Sequence, residues 1–246
     1  MFFDVPLAVR PADGDTIWRY IDFTKFVTML KDKALYFSRV DLLEDKFEGW
    51  LPPGSFDSWF PPGPEITNEF SSTVATALRN ANRTDRQNIF VNCWHANEHE
   101  SEAMWRLYSD EIAIRSTFGR LKASFAGASQ LVVAGKVSYI DHDAERFTFM
   151  SHLRPSLLKR KNFSHENEVR AIHWLLTDPK AVSAADSKPS MRGLNIPVDL
   201  TTLIDMVYVS PRKKERFHDR VKAKLARYGH KDKETKKSRL AEAPIW

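Results

Sequence analysis

The chain carries a single cysteine, Cys93, so no disulfide can close within it and no zinc site can rest on several thiolates. Only nine of its 246 residues are glycine, and neither a G-x-x-x-x-G-K-[ST] loop nor a G-x-G-x-x-G turn occurs. P-loop phosphoryl transfer and a standard Rossmann cofactor site are therefore not expected. No apolar run approaches the roughly 20 residues of a membrane-spanning helix. The opening MFFDVPLAVRPADGD lacks the basic stretch and apolar block of a secretory signal. These absences lead to the expectation of a cytoplasmic protein with no membrane partner. What is present suffices for a core: 42% hydrophobic and 12% aromatic residues exclude wholesale disorder. The length suits one domain over residues 1–246.

Charge is unevenly placed. Residues 211–246 hold 13 Lys/Arg against 5 Asp/Glu, whereas residues 1–210 hold 24 against 27. A basic end on a slightly acidic body can meet RNA, DNA or another acidic partner. Ser210-Pro211 reads as the N-cap and first position of a helix, and Gly229 as its stop. Between them Phe217, Val221, Leu225 and Tyr228 form one apolar stripe. Arg216, Arg220 and Lys224 stand beside that stripe as candidate phosphate contacts, and residues 230–240 continue the positive charge with no clear period.

Along the chain, the patterns predict strands at 16–21, 34–38 and 89–94, with a helix at 24–32 capped by Thr24 and another at 65–82. Residues 50–64 carry five prolines, two glycines and four aromatics and read as an irregular loop. A helix begins at Ser101, strands follow at 111–117 and 131–140, and a helix is expected at 151–160. A long strand at 166–176 precedes a polar loop at 178–192, then strands at 194–198 and 206–209 flank a short helix. Irregular alternation favours an α+β domain: a mixed, largely antiparallel sheet with peripheral helices and a basic C-terminal helix.

The segment His165-Glu166-Asn167-Glu168-Val169-Arg170 carries the most chemistry. On a strand, period two places Glu166, Glu168 and Arg170 on one face. Two carboxylates roughly 7 Å apart repel unless a cation, a substrate hydroxyl or Arg170 relieves them. One could then stabilise positive charge at a sugar carbon while the other orients a nucleophile, as paired acids do in glycosyl transfer. His95-Ala96-Asn97-Glu98-His99 matches the H-x-x-E-H pattern of zinc proteases. That pattern needs one helix face, yet a strand before and a helix start after place both histidines on a turn. Cys93 on an apolar strand reads as a small core hydrophobe rather than a nucleophile.

Several segments resemble a widespread bacterial family catalogued as domain of unknown function 2971. They are Trp18-Arg19-Tyr20, Leu35-Tyr36-Phe37-Ser38, Leu42 to Glu48, Cys93-Trp94-His95, Glu100 to Tyr108, Ala113 to Thr117 and His165 to Arg170. That family's name assigns no activity. The order of residue types is also similar to that of ADP-ribosyltransferases: Arg, His or Tyr on a first strand, a hydroxyl or Tyr on a second, and Glu on a later one. The matching residues here are Arg19 or Tyr20, Tyr36 or Ser38, and Glu166 with Glu168; an S-T-S triplet on the second strand is lacking.

The resemblance implies NAD as substrate. Arg19 would hold a phosphate, Ser38 would brace the nicotinamide ribose beside Tyr36, and Arg170 would support the glutamates. Glu168 would bind the ribose 2′-hydroxyl and Glu166 would orient the acceptor, with nucleic acid as one candidate acceptor. No metal is expected in this scheme. Two alternatives stand beside it: a non-enzymatic nucleic-acid binder acting through the basic helix, and a metal-dependent nuclease using Asp45, Glu48, Glu166 and Glu168.

Overall fold

The computed structural model describes residues 2–3, 9–58, 67–147, 151–175, 191–240 and 242. In chain order its elements begin with β1 (Phe2–Phe3), β2 (Thr16–Ile21), α1 (Phe23–Asp32), β3 (Ala34–Arg39), α2 (Pro53–Ser58) and α3 (Asn68–Asn88). They continue with β4 (Ile89–Ala96), α4 (Glu102–Leu107), β5 (Ile112–Thr117), α5 (Phe118–Ser124), β6 (Val132–Lys136), β7 (Ser138–Ile140) and β8 (Leu158–Arg160). The last are β9 (Glu168–Trp174), β10 (Gly193–Pro197), α6 (Leu200–Leu203), β11 (Met206–Val209), α7 (Glu215–Arg227) and β12 (Glu234–Lys237).

One sheet runs β1-β6-β9-β4-β2-β5-β11-β12, with β3 and β10 branching from β4. Its outermost pairs, β1–β6 and β11–β12, are parallel, and the inner pairs are antiparallel. This is the α+β class expected from the sequence. One face carries the main apolar core, where Ile17, Phe37, Trp94, Val169 and Val207 meet Phe26 and Leu30 of α1 and Val221 and Leu225 of α7. Among the described residues no helix is long and apolar enough to cross a membrane.

Several expectations need correction. Helix α1 is capped by Asp22, whose side chain accepts from the Lys25 N–H; Thr24 lies inside its first turn. The helix expected at 151–160 is instead a 3₁₀ turn over Arg154–Leu157 followed by strand β8. Pro155 lacks a backbone donor, and Leu157 and Leu158 enter two different apolar clusters, which extended chain allows. Residues 131–140 divide into β6 and β7 because the Val137 N–H donates to the Glu168 carbonyl. Strand β4 continues to Ala96, so His95 lies on a strand rather than a turn. Helix α3 runs to Asn88, six residues beyond its expected end.

Within the Pro/aromatic segment, Pro53 starts the short helix α2, a position where its missing N–H costs nothing. Residues 59–64 of that segment, residues 65–66 of the helix expected at 65–82, and most of the polar loop at 178–192 lie outside the described residues. At the C-terminal end, α7 starts after Lys214 rather than at Pro211. Ser210 is buried instead, donating to Asp110 at 2.5 Å and accepting the Arg212 N–H at 3.2 Å. Gly229, at φ +87°, supplies the expected stop. The unperiodic stretch beyond it contains β12, an edge strand whose lysines suit an unpaired border.

Candidate functional site

The sheet divides at β4. One edge of β4 pairs with β9 over residues 89–95. On its other edge Phe90 and Val91 pair with β3, while His95 and Ala96 pair with β2. Between these two pairings, residues 92–94 have no ladder partner on that side, and buried backbone groups must be satisfied by other means. Arg19 reaches into the gap and donates from Nη1 to the Cys93 carbonyl at 2.7 Å. Asn92 donates from Nδ2 to the Tyr36 carbonyl at 2.8 Å and accepts from Trp94 Nε1 at 2.7 Å. A cleft of about 1140 Å³ opens at this division.

Strand registration sets which side chains face it. Cys93 lies opposite Arg170, His95 opposite Glu168, and Ser38 opposite Val91, so these residues share one face of the sheet. β9 is a central strand between β4 and β6, so these charges lie inside the sheet rather than at its edge. Glu166 is not on that strand. It ends a 3₁₀ helix over Lys161–Glu166, and Asn167, at φ 38°, turns the chain so that Glu166 and Glu168 still converge.

The convergence is held by cations. Arg170, 0% exposed, donates from Nε to Glu168 Oε1 at 2.8 Å, from Nη2 to Glu168 Oε2 at 2.8 Å, and from Nη1 to the Ser156 carbonyl at 2.7 Å. Its Nη2 also lies 2.8 Å from Glu48 Oε2, an ion contact off the hydrogen-bond line. Lys159 Nζ stands 2.5 Å from Glu166, 3.1 Å from Glu48 and 3.4 Å from Glu168. Three buried carboxylates thus share two cations, and one negative charge is left over. Beside them Arg160 holds Asp45 through two bonds of 2.8 and 3.1 Å.

This arrangement fixes protonation. Burial opposes ionisation of Glu168, but Arg170 and then Lys159, with a Cys93 thiol hydrogen bond, hold its carboxyl down at about 2. Burial likewise disfavours the Lys159 ammonium, yet Glu168 and Glu48 raise its affinity for a proton. Burial pushes the Cys93 thiol up, and Glu168 pushes it further, so it remains a thiol and not a nucleophile. Burial also raises the Tyr108 hydroxyl, which sits against Glu166. The stability consequence has a definite sign. Glu168 titrates near 4.5 when unperturbed and near 2 in the fold, so its contribution is complete above about pH 4.5 and disappears as pH falls towards 2. We expect urea unfolding to lose on the order of 3 kcal/mol through this group across that window. A flat stability profile there would contradict the ion cluster.

All six cleft residues singled out in the sequence line the cleft: Arg19, Tyr36, Ser38, Glu166, Glu168 and Arg170. Arg19 is half-buried with no acidic side chain bonded to it among the described residues; burial lowers its pKa, and Glu168 partly offsets this. Tyr36, 49% exposed, stands at the rim with Phe47 and Tyr108. Lys159 sits where a helix was expected and was not among the candidates, and His95 stood only in the zinc-protease pattern and in the Cys93-Trp94-His95 segment. Glu48 had a chemical role only as a candidate metal ligand. His95 and His99 do not share a helix face, so the protease pattern loses its geometry. Among the described residues no group of three or more His, Cys, Asp or Glu is placed to hold a metal ion, since Lys159, Arg170 and Arg160 already stand between the acids.

The basic helix is separate from this site: Arg216, Arg220 and Lys224 do not line the cleft. Arg216 and Arg220 are exposed and Lys224 is half-buried, with Arg220 lying 4.7 Å over the Phe23 ring. Arg212 is held by Glu102 and Asp110, and Lys213 by Glu111. No family model, curated protein or solved structure matches this chain.

Proposed function

We propose that the cleft binds NAD and breaks the bond between nicotinamide and ribose, passing the ADP-ribosyl group to an acceptor. The observation that carries this reading is the charge pattern: a buried cluster of three carboxylates and two cations, with Arg19 held by a carbonyl rather than by an acid. A ligand with a cationic ring and an anionic pyrophosphate complements that pattern. As the ring departs, positive charge develops on the ribose, and a fixed carboxylate in a water-poor site stabilises it. Arg19 would take a phosphate, and Ser38 and Tyr36 would line the ribose. Glu166 is the better candidate for contact with the reacting sugar. The oxygens of Glu168 are filled by Arg170, Lys159 and the Cys93 thiol, so Glu168 anchors the cluster.

Calorimetric titration with NAD, followed by a nicotinamide-release assay, tests this reading. Binding accompanied by release supports it, and a cleft that neither binds NAD nor releases nicotinamide contradicts it.

A second reading concerns the acceptor or a direct partner. Arg216, Arg220 and Lys224 recur at helical spacing beside the buried stripe of α7, and their positive charge suits RNA or DNA phosphates. Reversing all three to Glu should abolish binding to single-stranded RNA or DNA. The wild-type affinity should fall with salt at a slope near −0.7 per phosphate contacted. Unchanged binding by the triple variant would remove this partner class.

A further inference from the structure

We infer that His95 is the general base of this site and that the acceptor it serves is an O–H nucleophile, either water or a ligand hydroxyl. This rests on the NAD reading above. His95 Nδ1 lies 2.5 Å from the Glu166 carbonyl, an acceptor only, so Nδ1 carries the hydrogen and the lone pair is on Nε2. Nε2 is buried and has no hydrogen-bond partner among the described residues. The ring lines the cleft, on the same sheet face as Glu168 and directly opposite it across the β4–β9 pair.

The carboxylates are poor alternatives as bases. Glu168 and Glu48 are held by Arg170 and Lys159, and Glu166 by Lys159 and Tyr108. The charged and titratable groups around the imidazole are Glu166 and His165 from the 3₁₀ helix, Glu168 from β9 and Tyr20 from β2. Burial lowers the His95 pKa from 6.5, with the two glutamate-side effects and His165 partly cancelling, so the ring is neutral at pH 7.

The C–N bond to nicotinamide breaks, and its electron pair stays on the ring nitrogen, which loses its positive charge. The nucleophile's oxygen forms the new C–O bond to ribose, and its proton passes to Nε2 and then to solvent. A nucleophile that carries no proton to lose would need no such base.

His95→Asn separates the roles, because the asparagine amide can still donate to the Glu166 carbonyl where Nδ1 does while removing the Nε2 lone pair. We expect nicotinamide release to fall about 100-fold or more with KM for NAD little changed. The acid limb of the wild-type pH profile, below pH 6.5, should vanish in this variant. His95→Ala should regain activity when imidazole is added. Free ADP-ribose as product identifies water as the acceptor, and a methyl riboside formed in added methanol identifies an open hydroxyl site; either agrees with the inference. A His95→Asn enzyme with wild-type rate, or one slowed with its acid limb intact, overturns it while leaving the NAD reading in place. A wild-type protein that releases no nicotinamide overturns the NAD reading and this inference with it. Should His95→Asn fail to fold, the ¹⁵N spectrum of the wild-type imidazole decides: an Nε2–H tautomer at pH 7 contradicts the inference.

Discussion

Arg170→Met should destabilise the fold by about 3–5 kcal/mol, the effect of leaving buried charge without its partner. Arg170 is wholly enclosed, and its guanidinium makes three hydrogen bonds and touches both Glu168 and Glu48. Without it, three carboxylates would share Lys159 alone, and at least one of them would have to take up a proton. The pairing makes a second expectation. The double variant Arg170→Met, Glu168→Met removes the bidentate pair together, leaving Lys159 with Glu48 and Glu166. It should recover much of the stability lost in the single variant, because a matched apolar replacement of a buried pair is often close to neutral. Chemical unfolding of the three proteins measures both effects. A double variant no more stable than Arg170→Met would contradict the expected recovery from removing the pair together.

Glu166→Gln should lower nicotinamide release by about 10²–10³-fold, the usual effect of removing one group aimed at developing charge. The fold should tolerate it better than a change at Glu168. Glu166 meets one cation, Lys159, beside the Tyr108 hydroxyl, and losing its charge brings the cluster from three carboxylates and two cations to an even balance. Glu168→Gln, by contrast, weakens the paired contact to Arg170 and loses stability along with activity. Thermal unfolding beside steady-state kinetics separates the two outcomes. Glu166→Gln with full turnover would move the sugar contact to another residue.

The sequence made part of this site legible for a simple reason. Period two on an apolar strand placed Glu168 and Arg170 on one face, and the observed strand does the same. The β2 and β11 boundaries match their alternating patterns, which local composition specifies well. Glu166 reached the site by a different route, through the left-handed turn at Asn167, which no periodicity encodes. Lys159 was invisible because residues 151–160 have helical composition, while the adjacent Leu157 and Leu158 are claimed by two separate clusters. That is tertiary packing overriding local propensity. The division of β4 between β2 and β3 was equally hidden, since strand pairing is long-range; yet it explains why Arg19, Asn92 and His95 matter. Asn92 lies within a buried apolar run, and a polar residue there was the available signal for a site where the ladder is broken.

The opening at this division is proposed to hold a dinucleotide with its reacting ribose at the glutamates. A crystal structure of the Glu166→Gln protein soaked with NAD tests it most directly. The nicotinamide ribose should lie within hydrogen-bonding distance of residue 166 and Ser38, with pyrophosphate oxygens at Arg19. An empty cleft at saturating NAD, or NAD bound elsewhere on the protein, would contradict it.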